Sequence, residues 1–241
     1  MDLGIAGKVA LVTASSKGLG RASAEALAAE GVKVVISARG EDSLRDAEGA
    51  IRAAGGEVHA VVGDVTDPNT PARLVAETRD RYGTVDILVP NAGGPPPGRA
   101  LEITDEQITA AVNANLMTSI RLVREALPFL QADGWGRICC ITSWSIKQPM
   151  PGLALSNLAR TGLWAWAKTA AADLSSSGVT LNLACPGSHA TDRMRQLGGD
   201  TGAMGDPGDF GRIVAFLCSQ PAAYISGTAI MVDGAASTGL L

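Results

Sequence analysis

The sequence predicts an open α/β fold, a mostly parallel sheet with helices on both faces. Short β-branched runs alternate with longer helical patterns almost to the end of the 241-residue chain. Those short runs are apolar enough for strands covered on both sides. No fixed-period repeat, low-complexity tract or linker interrupts the series, so one domain spanning 1–241 is expected.

In order, KVALV is the first strand, and a glycine-bearing turn after it feeds a helix from about Gly18. KVVIS is the second strand, followed by a helix from about Glu41; EVHAVV is the third, followed by a helix after Pro68; DILV is the fourth. A long helix from about Thr104 leads to GRICCI, the fifth strand, and the helix carrying SNLAR leads to VTLNLAC, the sixth. A helix after Pro207 precedes TAIMV, the seventh. Two loops stand out, GGPPPG after the fourth strand and GGDTGAMGDPGD before the helix at Pro207. Ligands of open α/β sheets lie beyond the carboxyl ends of the strands, where both loops fall. The glycines of the second suit either a lid or an ordinary surface loop.

The composition narrows the partners. The chain is 46% hydrophobic and 18% charged, with a formal charge of −4. No basic stretch or basic helix stands out, so neither nucleic acid nor an anionic membrane is the expected partner; a small molecule is. The start has no basic region followed by a long apolar run, and no later stretch is long enough to span a bilayer, so a soluble cytoplasmic protein is expected. Cys139, Cys140, Cys185 and Cys218 lack metal-ligand spacing and read as reduced core thiols; no metal site is expected.

After the first strand comes TASSKGLG, Thr13 to Gly20. Such a turn lets backbone N–H groups and a helix dipole meet a pyrophosphate, with Gly18 and Gly20 allowing close approach. NAG (Asn91 to Gly93) follows the fourth strand, CPG (Cys185 to Gly187) the sixth, and ISGTAIMVDGA closes the chain. As an ordered set these motifs resemble the short-chain dehydrogenase/reductase family, whose pattern is T-G-x-x-x-G-x-G, N-N-A-G, Ser, Tyr-x-x-x-Lys and P-G-x-x-x-T. The resemblance implies a Rossmann-type, doubly wound, seven-stranded sheet, a dinucleotide cofactor, a substrate loop at about 188–206, and a homotetramer or homodimer built on the long helices of the fourth and fifth crossovers. It assigns the phosphate turn to Ala14, Ser16, Lys17, Gly18, Leu19 and Gly20. Asp64 and Val65 would flank the adenine, Asn91, Ala92 and Gly93 its ribose and the diphosphate side, and Pro186, Gly187 and Thr191 the nicotinamide.

Two departures occur at this end. Ala14 replaces the first glycine and Pro90 the first asparagine. Alanine is tolerable there only at negative φ, so binding is expected to be weakened or shifted, not lost. The end of the second strand, VVISARG, has no acid until Glu41, whereas Arg39 and Lys17 can both pair with a 2′-phosphate. The cofactor expected is therefore NADP(H), favoured over NAD(H).

The resemblance places the water-holding asparagine at Asn115 in preference to Asn113, and the carbonyl-polarising serine at Ser143. The family tyrosine would lie thirteen residues after Ser143, which is Ser156, and the lysine four further, which is Arg160. The two tyrosines, Tyr82 and Tyr224, lie far from this segment in sequence. Arginine stays ionised and can bond ribose hydroxyls, keeping the positioning role and making Arg160 both a catalytic and a cofactor-binding candidate. A serine hydroxyl ionises far less readily than a phenol and is shorter, so Ser156 is a poor general acid. A water held by Ser156, Ser143 and Asn115, or an acidic group of the substrate, would have to carry the proton. The reading is an oxidoreductase acting on a carbonyl or alcohol by an atypical proton relay. A non-redox dehydratase, isomerase or cyclase on the same scaffold, and a non-catalytic nucleotide-binding subunit, are the alternatives. His189 reads as an acid or base, or as a partly exposed loop residue. His59 reads as structural, Lys147 and Asp192 as cleft-bordering charges, Trp144 as a pocket wall, and Trp164 and Trp166 as core or interface.

Overall fold

The computed structural model describes residues 1–196 and 204–239. Among these, the strands are β1 (Val9–Thr13), β2 (Lys33–Ala38), β3 (Val58–Val62), β4 (Ile87–Val89), β5 (Gly136–Ile141), β6 (Val179–Pro186) and β7 (Ala229–Val232). All pair in parallel, in the order β3-β2-β1-β4-β5-β6-β7. This is the doubly wound α/β fold expected from the alternation.

The helices are α1 (Gly18–Ala29), α2 (Glu41–Ala53), α3 (Thr70–Tyr82), α4 (Asp105–Val112), α5 (Thr118–Ala132), α6 (Ala154–Asp173), α7 (Asp192–Gln196) and α8 (Pro207–Leu217). Because side chains alternate across a strand, each strand feeds two cores. Ala10, Val12, Val34, Ile36, Ile87 and Val89 meet α1, α2 and α8 on one face. Leu11, Val35, Leu88, Ile138 and Leu183 meet α3, α5 and α6 on the other. Glycine permits the closest helix approach, since a Cβ at Gly211 would run into the carbonyl of Ala22, on α1. All four cysteines are free and buried in these cores.

The long helix expected from Thr104 is capped there as the sequence suggests. Thr104 Oγ1 accepts from the N–H of Gln107 at 3.3 Å, and Gln107 Oε1 accepts from the N–H of Thr104 at 3.0 Å. It is not uniformly α-helical, however. A π-turn, Asn113–Met117, separates α4 from α5. The expected substrate loop contains α7, and residues 197–203 of it lie outside the described residues. No described helix is long and apolar enough to cross a membrane.

Arg137 closes the amino end of the sheet. The side chain is 1% exposed, donates Nε to Ser219 O at 3.0 Å and Nη1 to Gly136 O at 2.9 Å and Gly178 O at 3.2 Å, and stacks on Trp135 at 4.3 Å. Burial lowers its pKa, but three carbonyls and an aromatic face solvate the cation in place of water.

Candidate active site

The sheet order reverses between β1 and β4, and a crevice opens beyond their carboxyl ends. A hydroxyl bolts the two strand ends together: Thr13 Oγ1 donates to Asn91 O at 2.7 Å and accepts from Asn91 N–H at 2.9 Å. Asn91 Nδ2 in turn donates to Ala14 O at 3.1 Å. Gly20 lies under this junction, where a Cβ would stand 2.5 Å from Ala14 O and 2.6 Å from Asn91 Nδ2. The turn therefore requires glycine at 20 to bring the first turn of α1 up to the crevice. Lys17, the N-cap of α1, makes no side-chain cap bond, and the first turn holds no acid. Its N–H groups and dipole are thus available to an anion.

Ala14 departs from the sequence expectation. Its φ is 45°, in the left-handed region, so the condition that alanine adopt negative φ is not met. The Asn91 and Gly20 contacts hold the residue there against a strain of about 1–2 kcal/mol for an L side chain. Ala14→Gly is expected to raise stability by roughly 0.5–1 kcal/mol, because relief of strain exceeds the added freedom of the unfolded chain. Thermal melts of the two proteins check it, and an unchanged or lower midpoint would count against strain at this turn.

A cavity of about 500 Å³ runs from this turn along the crevice. Of the candidate cofactor residues, Ala14, Ser16, Lys17, Arg39, Asp64, Val65, Ala92 and Gly93 line it. Gly18, Leu19, Gly20, Asn91, Pro186, Gly187 and Thr191 do not line it directly. Gly18 does face Thr191, whose Cγ2 would be 3.5 Å from a Cβ there, so the phosphate turn and the segment after β6 adjoin. Gly187 packs on Asp233, where a Cβ would be 2.6 Å from Cα. Arg39 is mostly exposed at the cavity mouth, 3.9 Å from Asp64. Burial works against ionisation of Asp64, but hydrogen bonds from Thr66 N–H (2.9 Å) and Oγ1 (2.8 Å), with the Arg39 charge, outweigh it and hold the carboxyl below its usual range.

Asn115, in the π-turn, also lines the cavity. It is buried, and its Nδ2 has no partner. Asn113 differs: its Nδ2 donates to Thr66 O at 2.9 Å and its Oδ1 accepts from Arg121 at 2.7 Å. An orphaned buried amide is the group that a bound molecule or water would satisfy.

Ser143, Ser156 and Arg160 gather beyond β5, outside the residues lining that cavity. Ser143 follows the strand and accepts from Ser145 N–H at 3.2 Å, capping a 3₁₀ turn, Trp144–Ile146. Ser156 and Arg160 are buried one turn apart on α6. Arg160 Nη1 donates to Ile141 O at 3.2 Å and Thr142 O at 2.8 Å, immediately before Ser143. Among the described residues no carboxylate pairs with it. Burial brings the Arg160 pKa down to about 10, Cys185 opposing and Arg193 adding to the shift, so the side chain remains a cation at neutral pH. Asn157, between them, brackets Met150, with Nδ2 to O at 2.9 Å and Oδ1 from N–H at 3.4 Å. The two chain tyrosines are elsewhere, Tyr82 ending α3 and Tyr224 fully exposed.

His189 is not the partly exposed loop residue of the sequence reading. It is 4% exposed, with Nδ1 3.2 Å from Gly187 O and its ring edge-on to Phe210 at 5.3 Å. Gly205 makes room for it, since a Cβ there would be 2.8 Å from the imidazole. Lys147 Nζ sits 5.9 Å from the Trp164 ring, Asp192 pairs with Arg195 at 2.6 Å, and His59 is half-buried on β3. Trp144 is half-buried beside Ser143, and Trp164 and Trp166 pack against the second core. The sequence reading missed Arg193, which reaches from α7 to donate Nη2 to Pro95 O at 2.7 Å, and the small-residue wall of Ala110, Ala111 and Ala114. The run TAAVNAN was the available signal for the wall.

A family model described as enoyl-(acyl carrier protein) reductase matches residues 13–237. The chain is 34% identical to the 3-oxoacyl-[acyl-carrier-protein] reductase FabG of Escherichia coli, over 95% of this chain and 96% of that one. It is 32% identical to human dehydrogenase/reductase SDR family member 4, over 95% and 87%. Among solved structures, L-sorbose reductase from Gluconobacter frateurii, complexed with NADPH and L-sorbose, superposes with a TM-score of 0.91 at 31% identity, covering 97% of this chain and 98% of that one.

Proposed function

The chain belongs to the short-chain dehydrogenase/reductase family, and from that premise we propose that it is an NADP(H)-dependent oxidoreductase that reduces a carbonyl or oxidises an alcohol without a tyrosine phenol. The observation that carries the reading is a shared wall: the uncapped start of α1, Arg39 and the unpartnered amide of Asn115 border one cavity. The uncapped first turn of α1, which the close packing of Gly20 on Ala14 O and Asn91 brings up to the crevice, fits the diphosphate of a dinucleotide. Lys17 and Arg39 would hold the 2′-phosphate end, Asp64 and Val65 the adenine, and Pro186, Gly187 and Thr191 the nicotinamide. The NADPH named with the sorbose reductase structure supports the same choice. The dinucleotide, when bound, supplies or takes the hydride.

The residues of the chain do the rest. Ser143 donates to the carbonyl oxygen and stabilises the charge that develops there. Arg160 is anchored to Ile141 and Thr142 through Nη1, which leaves Nε and Nη2 for the ribose hydroxyls. Ser156, with Ser143 and Asn115, holds a water where the phenol would stand, and that water passes the proton. Alignment of donor and acceptor can supply about 7–11 kcal/mol of the barrier, against the roughly 100- to 10,000-fold given by a general acid, so a slow reaction survives. The whole chain serves as one dinucleotide-binding domain, in a cytoplasmic homo-oligomer built on α5 and α6.

Purified protein given NADPH and a panel of ketones is expected to oxidise the nucleotide, and Ser143→Ala to lower kcat/KM about 100-fold. Tight NADPH binding with no turnover across the panel would sink the redox reading. The serine at 156 also favours a second reading, a non-redox dehydratase or isomerase in the same pocket. A product at the oxidation state of its substrate would identify it.

A further inference from the structure

The two walls of the cavity are tied together by side chains that touch neither the phosphate turn nor the segment beyond β5. One wall is the turn Asp64–Thr66; the other is α4 with the π-turn that presents Asn115. Asn113 Nδ2 donates to Thr66 O at 2.9 Å, and Thr118 Oγ1 lies 3.0 Å from both Val65 O and Asn113 O. These two residues bracket the π-turn, whose i→i+5 bond runs from Thr118 N–H to Asn113 O. Arg121 Nη1 donates to Asn113 Oδ1 at 2.7 Å. A guanidinium is only a donor, so it dictates which end of the Asn113 amide is oxygen and turns the NH₂ toward Thr66. The π geometry brings Asn113 and Thr118 into register with successive carbonyls of the facing turn, which a continuous α-helix would not do at this spacing.

We propose that Asn113, oriented by Arg121, is a positioning residue that couples the turn at Asp64–Thr66 to the π-turn holding Asn115, so that one clamp sets both nucleotide affinity and the placement of the Asn115 amide. This rests on the function proposed above. The sharpest variant is Asn113→Asp, which keeps an acceptor for Arg121 but points oxygen at the Thr66 carbonyl. With a melting midpoint close to that of the parent, it is expected to weaken NADPH binding about tenfold, and 2′,5′-ADP binding by a similar factor. Turnover at saturating NADPH should fall about fivefold, because Asn115 shifts with the clamp. Arg121→Leu, a milder change that leaves the turn its hydrogen bond but not its orientation, is expected to show the same pattern at about threefold; it replaces Asn113→Asp if that variant does not fold.

Nucleotide affinity within twofold of the parent in a folded variant would overturn the clamp. So would weaker binding with unchanged turnover at saturation, since the π-turn would then not follow. If the parent itself binds no NADPH or turns over no carbonyl, it is the oxidoreductase reading that fails.

Discussion

Carbonyl reduction rises about 100-fold in the double variant Ser156→Tyr with Arg160→Lys, the low end of what a positioned general acid supplies. The expectation follows from α6. Positions 156 and 160 lie one turn apart on the same buried face, four residues being the spacing that stacks side chains on a helix. A phenol titrates near 10 and can be brought lower by a neighbouring cation, whereas a serine hydroxyl cannot be brought into a useful range. Arg160→Lys exchanges a fork pinned to Ile141 O and Thr142 O for a single ammonium able to reach outward. Steady-state rates with NADPH and the ketones used by the parent, beside a thermal melt, provide the check. A folded double variant with no gain means that the hydroxyl of Ser156 does not face the reacting carbonyl, and the proton route assigned above is then wrong.

The largest loss of stability is expected at Arg137, remote from the crevice. Arg137→Ala takes the guanidinium donor from the carbonyls of Gly136 and Ser219, leaves Gly178 O only the 3.4 Å bond from Gly136 N–H, and removes the stack on Trp135. Each buried acceptor left without a donor costs about 1–3 kcal/mol, and replacing a long buried side chain by a methyl opens a cavity besides. A loss of about 4 kcal/mol is expected, which lowers the melting midpoint by roughly 10 °C in a chain of this size. Arg137→Lys should recover less than half, because an ammonium cannot span three carbonyls in the plane of the fork. A change below about 1 kcal/mol in Arg137→Ala would mean that water replaces the guanidinium without penalty.

Periodicity carried the architecture because it is a local property. Apolar runs such as KVVIS and VTLNLAC are strands on both faces of which helices lie, and the proline at 207 opens α8 where the sequence suggests. Motif order carried part of the crevice in the same way: Lys17, Arg39, Asp64 and Ala92 come to one cavity although 75 residues separate the first from the last. What the sequence hid depends on distant partners or on backbone detail. The left-handed turn at Ala14 is signalled only by the glycine that the family pattern has at that position, because alanine itself favours negative φ. The π-turn at Asn113–Met117 has no composition of its own. His189 is buried because Phe210, beyond the expected loop, and Gly205, at the far end of it, come back over the ring. The role of Arg160 is similar: its charge was legible, but its anchorage on β5 was not.

The strand order has a consequence for biosynthesis. As the polypeptide leaves the ribosome amino end first, β1, β2 and β3 can assemble outward on one side, and each later strand joins the opposite side in the order of its translation. From β4 onward the raw backbone edge on the growing side therefore belongs to the strand most recently made, and it stays unpaired for as long as the next crossover helix takes to emerge. Because Ser219 follows Arg137 by 82 residues, the Arg137 staple closes only after β6 and α8 have emerged, and a chain stalled before that point carries an open sheet edge and a guanidinium that lacks the Ser219 carbonyl.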